Sequence, residues 1–320
     1  MRINVSQVLA WQTCPRVWWF RYVAQRAKPP GQALADGTFW HERAASTLRA
    51  DLSAEWAKGE WGGAAAGRRE APGSVLVDIQ GNGNPVYVSG EMLTLAVNDE
   101  QARMAAWIGE HLRARLADYE VLALEQPLAA ALGGHELVGT PDGIVRQRVS
   151  GALYLLQWKT VAGARPLDVL FDEVRVSWHE CAYQWLAQRA LGVEFAGTLL
   201  GAWRKLSARQ QRAEDSFVLV PLSRTQREVD AAVGEIYAIA NYIEAVADKG
   251  GWSRVPTPVS ELLEEKPIPR MLPNRRSCVS YNYRCQYFGV CHGGAALADP
   301  EFVDVEDRYA DVAPATVEET

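Results

Sequence analysis

Apolar residues recur at helical spacing in several stretches and alternate at strand spacing in others. Val8, Leu9, Val17, Trp18, Phe20 and Tyr22 give a helix over 5–25, with Ser6 as its N-cap and Pro15 as a kink or a break into two short helices. A second helix is predicted from about Gly37 to Leu52. Residues 53–100 are rich in Gly and Ala and weakly patterned, but VLVDI (75–79) and PVYVSGE (85–91) could form a small hairpin across GNGN. Met104, Trp107, Ile108, His111, Leu112 and Leu116 mark an amphipathic helix over 98–117. The period then changes. VLALEQPL (121–128), ELVGTPDGIVRQ (136–147) and ALYLLQWKTV (152–161) read as three strands in close succession. A helix at 177–191, strands at 196–206 and 216–221, and a long helix over 224–248 follow. Five prolines in 250–276 make that stretch an extended connector. This order predicts an α/β (α+β) fold, a mixed sheet with helices on both sides. It divides the chain into an N-terminal helical region (1–118), a core (119–249), a connector with a cysteine-rich segment (250–298), and an acidic tail (299–320) that reads as disordered.

Composition supports a packed protein: 48% of residues are hydrophobic and twelve are Trp, which excludes global disorder. No apolar run approaches the roughly 20 residues that span a bilayer. The N-terminus is polar where a signal peptide would be apolar. The expectation is a soluble, cytoplasmic protein with no membrane partner. The net charge of −6 is unevenly placed: Asp299–Thr320 holds eight acids and one Arg, so the remainder carries about +1. Basic residues cluster in GRRE (67–70), WRKLSARQQR (203–212) and PRMLPNRR (269–276). Such patches are compatible with phosphate contacts and equally with solvated faces.

Asp142 lies in GTPDGIV (139–145), at the end or bend of one strand, and Gln157 and Lys159 lie in LLQWKT (155–160) on the next. Alternation puts Gln157 and Lys159 on one face and Trp158 on the other. If the strands pair, two oxygen donors and a lysine converge. Hard oxygen ligands suit Mg²⁺ or Mn²⁺, and an adjacent lysine can position an attacking water and stabilise developing charge. The plainer reading makes Asp142 a turn residue and Lys159 a strand-end surface charge. His41, after Trp40 on an amphipathic helix, would by itself be read as a core residue.

These segments resemble the PD-(D/E)XK nuclease superfamily, and within it the RecB-like branch that includes CRISPR-associated and phage-encoded exonucleases. GTFWH (37–41) resembles the Gly-x-x-x-His segment, GTPDGIV the segment with the metal-binding aspartate, LLQWKT the (D/E)xK strand with its following threonine, and HECAYQWLA (179–187) the Gln-x-x-x-Tyr helix. The resemblance implies a restriction-endonuclease-like fold and a DNA nuclease, an exonuclease acting on DNA ends or single strands. It implies Mg²⁺ or Mn²⁺ held by His41, Asp142, Gln157 and the carbonyl of Trp158. Lys159 would assist the water, and His179 and Tyr183 would orient the substrate. Two positions depart from the pattern. Gln157 replaces the acid before the lysine, which removes one negative charge, and Glu125 on the preceding strand is the candidate that compensates. His179 stands where the family has Gln.

The five cysteines form an odd set, which argues against a disulfide framework. Cys278, Cys285 and Cys291 cluster near the C-terminus, and Cys14 opens CPRVWWFRY (14–22). In the same branch one N-terminal and three C-terminal cysteines hold a 4Fe–4S cluster, so the resemblance implies that these four join the two ends of the chain. Four thiolates also suit zinc. Cys181 reads as a buried apolar residue. Tyr281, Tyr283, Tyr287 and Phe288 interleave with Arg275, Arg276 and Arg284, either to stack bases or to pack around the metal. Recombination, repair or CRISPR-adaptation proteins are conceivable partners. Two alternatives stand beside the nuclease: a catalytically weak DNA-binding or scaffolding module with the same fold, and a zinc-stapled interaction protein.

Overall fold

The computed structural model describes residues 1–29, 32–49, 52, 74–78, 85–89, 99–163, 165–205, 216–248, 275–280, 283–292 and 294–305. Two compact units divide them. One comprises Met1–Pro29, Ala131–Val138 and the described residues from Gly234 onward; the other comprises Gly139–Val233 and the described part of Pro30–Ala130. The basic segment 67–70, the connector 250–274, residues 206–215, Tyr281 and the tail beyond Val305 lie outside the described residues.

The second unit is built on a five-stranded sheet. Its strands are β5 (Tyr119–Leu124), β8 (Gly143–Gln147), β9 (Leu153–Ala162), β10 (Gly197–Lys205) and β11 (Phe217–Ser223), with spatial order β11-β10-β9-β8-β5. The β9–β10 pair is parallel and the others are antiparallel. A parallel pair needs a crossover, and helices α5 (Leu167–Val176) and α6 (Trp178–Leu191) supply it between β9 and β10. Helix α6 stops at Gly192, whose φ of 68° is the left-handed cap that glycine adopts without strain. Helices α3 (Gln32–Leu48) and α4 (Asp99–Arg115) lie against one face of the sheet. Leu170 and Val174 of α5 pack with Val161, Leu200 and Ala202 on the other. This is the mixed, helix-flanked sheet of a restriction-endonuclease-like fold. The hairpin read across GNGN is present as β3 (Ser74–Asp78) paired antiparallel with β4 (Pro85–Ser89).

The α3–α4 face is held by aromatic packing. Trp40 is fully buried, with ring centroids 5.1 Å from Trp203, 5.7 Å from Phe217 and 6.0 Å from Trp107. Trp158 lies over Gly201, where a Cβ would come within 2.2 Å of its ring. Trp40→Ala should therefore cost about 3–5 kcal/mol, read as a lower denaturant midpoint. A variant of unchanged midpoint would show that this aromatic layer is not the core.

Several elements differ from the sequence reading, among them the helix expected from about Gly37 to Leu52, which runs Gln32–Leu48. The stretch 136–147 forms two strands, β7 (His135–Gly139) and β8, broken at Thr140–Asp142, and a further strand β6 (Leu128–Leu132) precedes them. The sequence reading assigns no element to the stretch that forms α5, although Leu170 and Val174 stand at i, i+4. The N-cap of α1 (Val5–Thr13) is Asn4, whose side chain accepts from the Gln7 amide at 2.9 Å, and not Ser6. Strand β1 (Arg2–Asn4), parallel to β7, sets that earlier start.

In the first unit Pro15 opens helix α2 (Pro15–Trp18), so the expected break falls at Cys14. Strand β2 (Arg26–Ala27) pairs with a terminal strand, Val303–Asp304. Arg26 donates to the Leu297 and Phe302 carbonyls and pairs with Asp304, and Lys28 pairs with Glu301. The first residues of the acidic stretch, to Val305, are thus tied into this unit and are not disordered. Among the described residues no helix is long and apolar enough to cross a membrane.

Candidate active site

Helix α3 directs Trp40 into the aromatic core and carries the next residue, His41, about 100° round the helix. There His41 Nδ1 lies 3.0 Å from Asp142 Oδ1. Asp142 stands where the chain enters β8. Gly143 pairs with Leu156, so the next register position sets Asp142 opposite Gln157. The other carboxylate oxygen, Oδ2, accepts the Trp158 amide proton at 2.7 Å, which fixes the side chain to β9.

On β9 the burial pattern follows the pleat. Leu156 and Trp158 join the α3–α4 core, and Val161 joins the opposite cluster, the face shared by Gln157 and Lys159. Gln157 is 2% exposed, and its Nε2 atom is buried without a hydrogen-bond partner. Oxygen and nitrogen of an amide are assigned from hydrogen bonding, so an orphaned end at this place is chemically open to ligation through oxygen. An imidazole, a carboxylate and an amide form a donor set that fits a hard divalent cation.

Lys159 Nζ lies 3.2 Å from Glu180 Oε1 on α6, and the same oxygen lies 3.3 Å from His179 Nδ1. Glu180 is 1% exposed. Burial would raise its pKa, but Lys159, His179 and Arg224 outweigh that and hold it at about 2. Burial would lower Lys159, and the carboxylates of Glu180 and Asp142 raise it above the ordinary lysine value instead. For His41 burial lowers and Asp142 raises, with the carboxylate prevailing. Ligation needs the neutral imidazole, so a proton and a cation compete for that nitrogen.

Glu125 reaches the same region through charge: burial raises its pKa, Arg49 opposes, and Asp142 raises it further. Its carboxylate is 3.5 Å from Arg49, and its backbone takes a φ of 47°, unusual for a residue with a side chain. Tyr183 packs edge-on to His179 at 4.4 Å between centroids. It also covers Gly139, where a Cβ would stand 2.5 Å from the tyrosine ring. The glycine of GTPDG is thus required by close approach. His41, Asp142, Lys159 and Glu125 share one electrostatic neighbourhood, and His179 reaches Lys159 through Glu180. Trp158 contributes its amide proton to Asp142. Glu180 was not singled out from the sequence; the available signal was a lone acid within an otherwise uncharged stretch, ECAYQWLA, of a helix buried from Glu180 to Ala187.

A profile of the PD-(D/E)XK nuclease superfamily matches residues 2–292. The chain belongs to this superfamily. No curated protein matches it. PD-(D/E)XK proteins are generally nucleases that use Mg²⁺ or Mn²⁺, so membership implies a nuclease-type function with DNA as substrate.

Four of the five cysteines lie in the other unit. Cys14 is the buried junction of α1 and α2. Cys278 ends the short helix Arg275–Cys278, and Cys285 donates its amide proton to the Cys278 carbonyl at 2.9 Å across a two-residue strand pair. Cys291 lies in the helix Phe288–His292. All four, with Arg16 and Tyr287, line one small cavity. Burial pushes the Cys291 thiol up to about 11, against a hydrogen bond from Arg16, and raises Cys285 as well. Among the described residues no three His, Cys, Asp or Glu side chains stand close enough to form a metal-holding group. The four sulfurs are gathered but not drawn to one point. Tyr287 is fully buried, stacked on Phe302 and donating to the Arg26 carbonyl. It therefore packs and does not stack bases. Two residues of the basic patch at 203–212 are also used internally: Lys205 pairs with Asp36 at 2.6 Å and Arg204 donates to the Gly163 carbonyl. Cys181 is buried on α6, as expected.

Proposed function

We propose that the protein is a metal-dependent deoxyribonuclease of the RecB-like branch, acting as an exonuclease on DNA ends or single strands. The observation that carries this reading is the His41–Asp142–Lys159 grouping, with Asp142 locked to the β9 backbone. Mg²⁺ or Mn²⁺ would be held by His41, Asp142, Gln157 and the Trp158 carbonyl, and when bound would neutralise phosphate charge and acidify a water. Lys159, kept cationic by its carboxylate neighbours, holds a water or a phosphate oxygen by donating a hydrogen bond from Nζ. His179 and Tyr183 line the same face and orient the strand. Glu125 adds negative charge where Gln157 has none. Cys14, Cys278, Cys285 and Cys291 would hold a 4Fe–4S cluster as a structural staple, with zinc as the other metal that four sulfurs suit.

Gln157 supports a second reading, a DNA-binding module that cuts weakly or not at all. Incubation of end-labelled single-stranded DNA with purified protein and Mn²⁺ separates the two. Degradation that stops with chelator and falls at least about a hundredfold in Lys159→Met, in line with loss of one charge-stabilising donor, supports the nuclease. Binding of the same strand without shortening it would establish the module.

A further inference from the structure

Glu180 takes no part in the ligand set above, yet it is the most deeply buried acid near it. Its Oε1 atom is 3.2 Å from Lys159 Nζ, and its Oε2 atom is buried with no hydrogen-bond partner. Gln157, two residues before Lys159 on the same face of β9, also has a buried orphan, Nε2. A buried carboxylate, a lysine and an amide thus occupy one face where the superfamily pattern would place an acid on the strand and a lysine beside it.

We infer that Glu180 is a positioning residue of this centre, supplying from α6 the negative charge that Gln157 lacks. This deepens the nuclease reading and rests on it. With His41 neutral for ligation and Gln157 uncharged, Asp142 and Lys159 cancel, so a dication would meet a centre of no net charge. Glu180 neutralises Lys159 and restores one negative charge to the group. Glu125 is the weaker source. Its side chain is 34% exposed and shared with Arg49, whereas Glu180 is 1% exposed, where solvent screens least. Glu180 acts through the lysine: Nζ stays aimed along the β9 face and its charge does not repel the cation.

Mn²⁺ binding to the whole protein without DNA, followed by the electron paramagnetic resonance signal of free Mn²⁺, tests this. Glu180→Gln should weaken Mn²⁺ binding at least about tenfold, as loss of a nearby poorly screened charge requires. The double variant Lys159→Met with Glu180→Gln should recover to within about threefold of the parent, because both members of the coupled pair are then neutral. A merely structural role for Glu180 would not be reversed by removing Lys159. If Glu180→Gln alone does not fold, Lys159→Met and the double variant are compared: the single change should bind Mn²⁺ more tightly, and equal affinity overturns the inference. A Glu180→Gln variant that binds like the parent, or a double variant as weak as Glu180→Gln, also overturns it. In either case uptake by the parent protein leaves the nuclease reading standing. A parent protein that takes up no Mn²⁺ overturns both.

Discussion

Asp142→Ala is expected to lower the rate of DNA cleavage by at least about a thousandfold, the effect of removing roughly 4 kcal/mol of charge stabilisation from the transition state. Asp142 touches both the His41 imidazole and the β9 backbone. Its loss removes a cation ligand and frees the Trp158 amide at once. The cost to folding should be small by comparison, about 1 kcal/mol for the lost hydrogen bond. A thermal melt and a cleavage assay on the same preparation measure both numbers. A variant that still cuts at more than a tenth of the parent rate would remove Asp142 from the centre.

With a metal held at the four cysteines as proposed, Cys14→Ala or Cys285→Ala should discharge it and loosen the first unit. A structural tetrathiolate site can contribute on the order of 10 kcal/mol to folding, and losing one ligand forfeits a large share of it. At roughly 2–4 °C per kcal/mol for a domain of moderate size, the melting temperature should fall by at least about 10 °C. Cys14 also sits at the α1–α2 junction, and Cys285 closes the turn onto Cys278, so each has a backbone reason to stay in place. The burial that raises the Cys285 and Cys291 thiols makes the metal-free form protonated near neutral pH, so loading releases protons. Brown colour lost in the variants identifies iron–sulfur. A colourless, zinc-containing parent identifies zinc, and a metal-free parent with an unchanged melting point removes the staple altogether.

The long helices were legible because their signal is local. The periodic apolar residues of α4, from Met104 to Leu112, lie within a few turns of each other and all reach the same aromatic core. The break between β7 and β8 falls inside a stretch read as one strand, although Pro141 and Gly143 carry turn signals. Thr140–Asp142 interrupts the ladder because the chain must leave one sheet and enter another, a demand set by partners distant in sequence. Asn4 rather than Ser6 caps α1 for the same reason: β1 pairs with β7 more than a hundred residues away and decides where the helix begins.

The candidate chemistry divides along similar lines. Residue types, their order along the chain and the alternation along β9 are properties of the sequence, so Asp142, Gln157 and Lys159 could be named from it, whereas His41 and the set of four cysteines came from the family resemblance. Proximity across elements is not such a property. That His41 lies 3.0 Å from Asp142, that Glu180 faces Lys159, and that Tyr183 lies against Gly139 depend on how α3 and α6 pack on the sheet. The sequence therefore specified which groups exist and which strand faces they occupy. Only the tertiary structure decided which charges meet, because an ion pair between a strand and a helix 21 residues apart (159 to 180) forms through core packing, which no local pattern records.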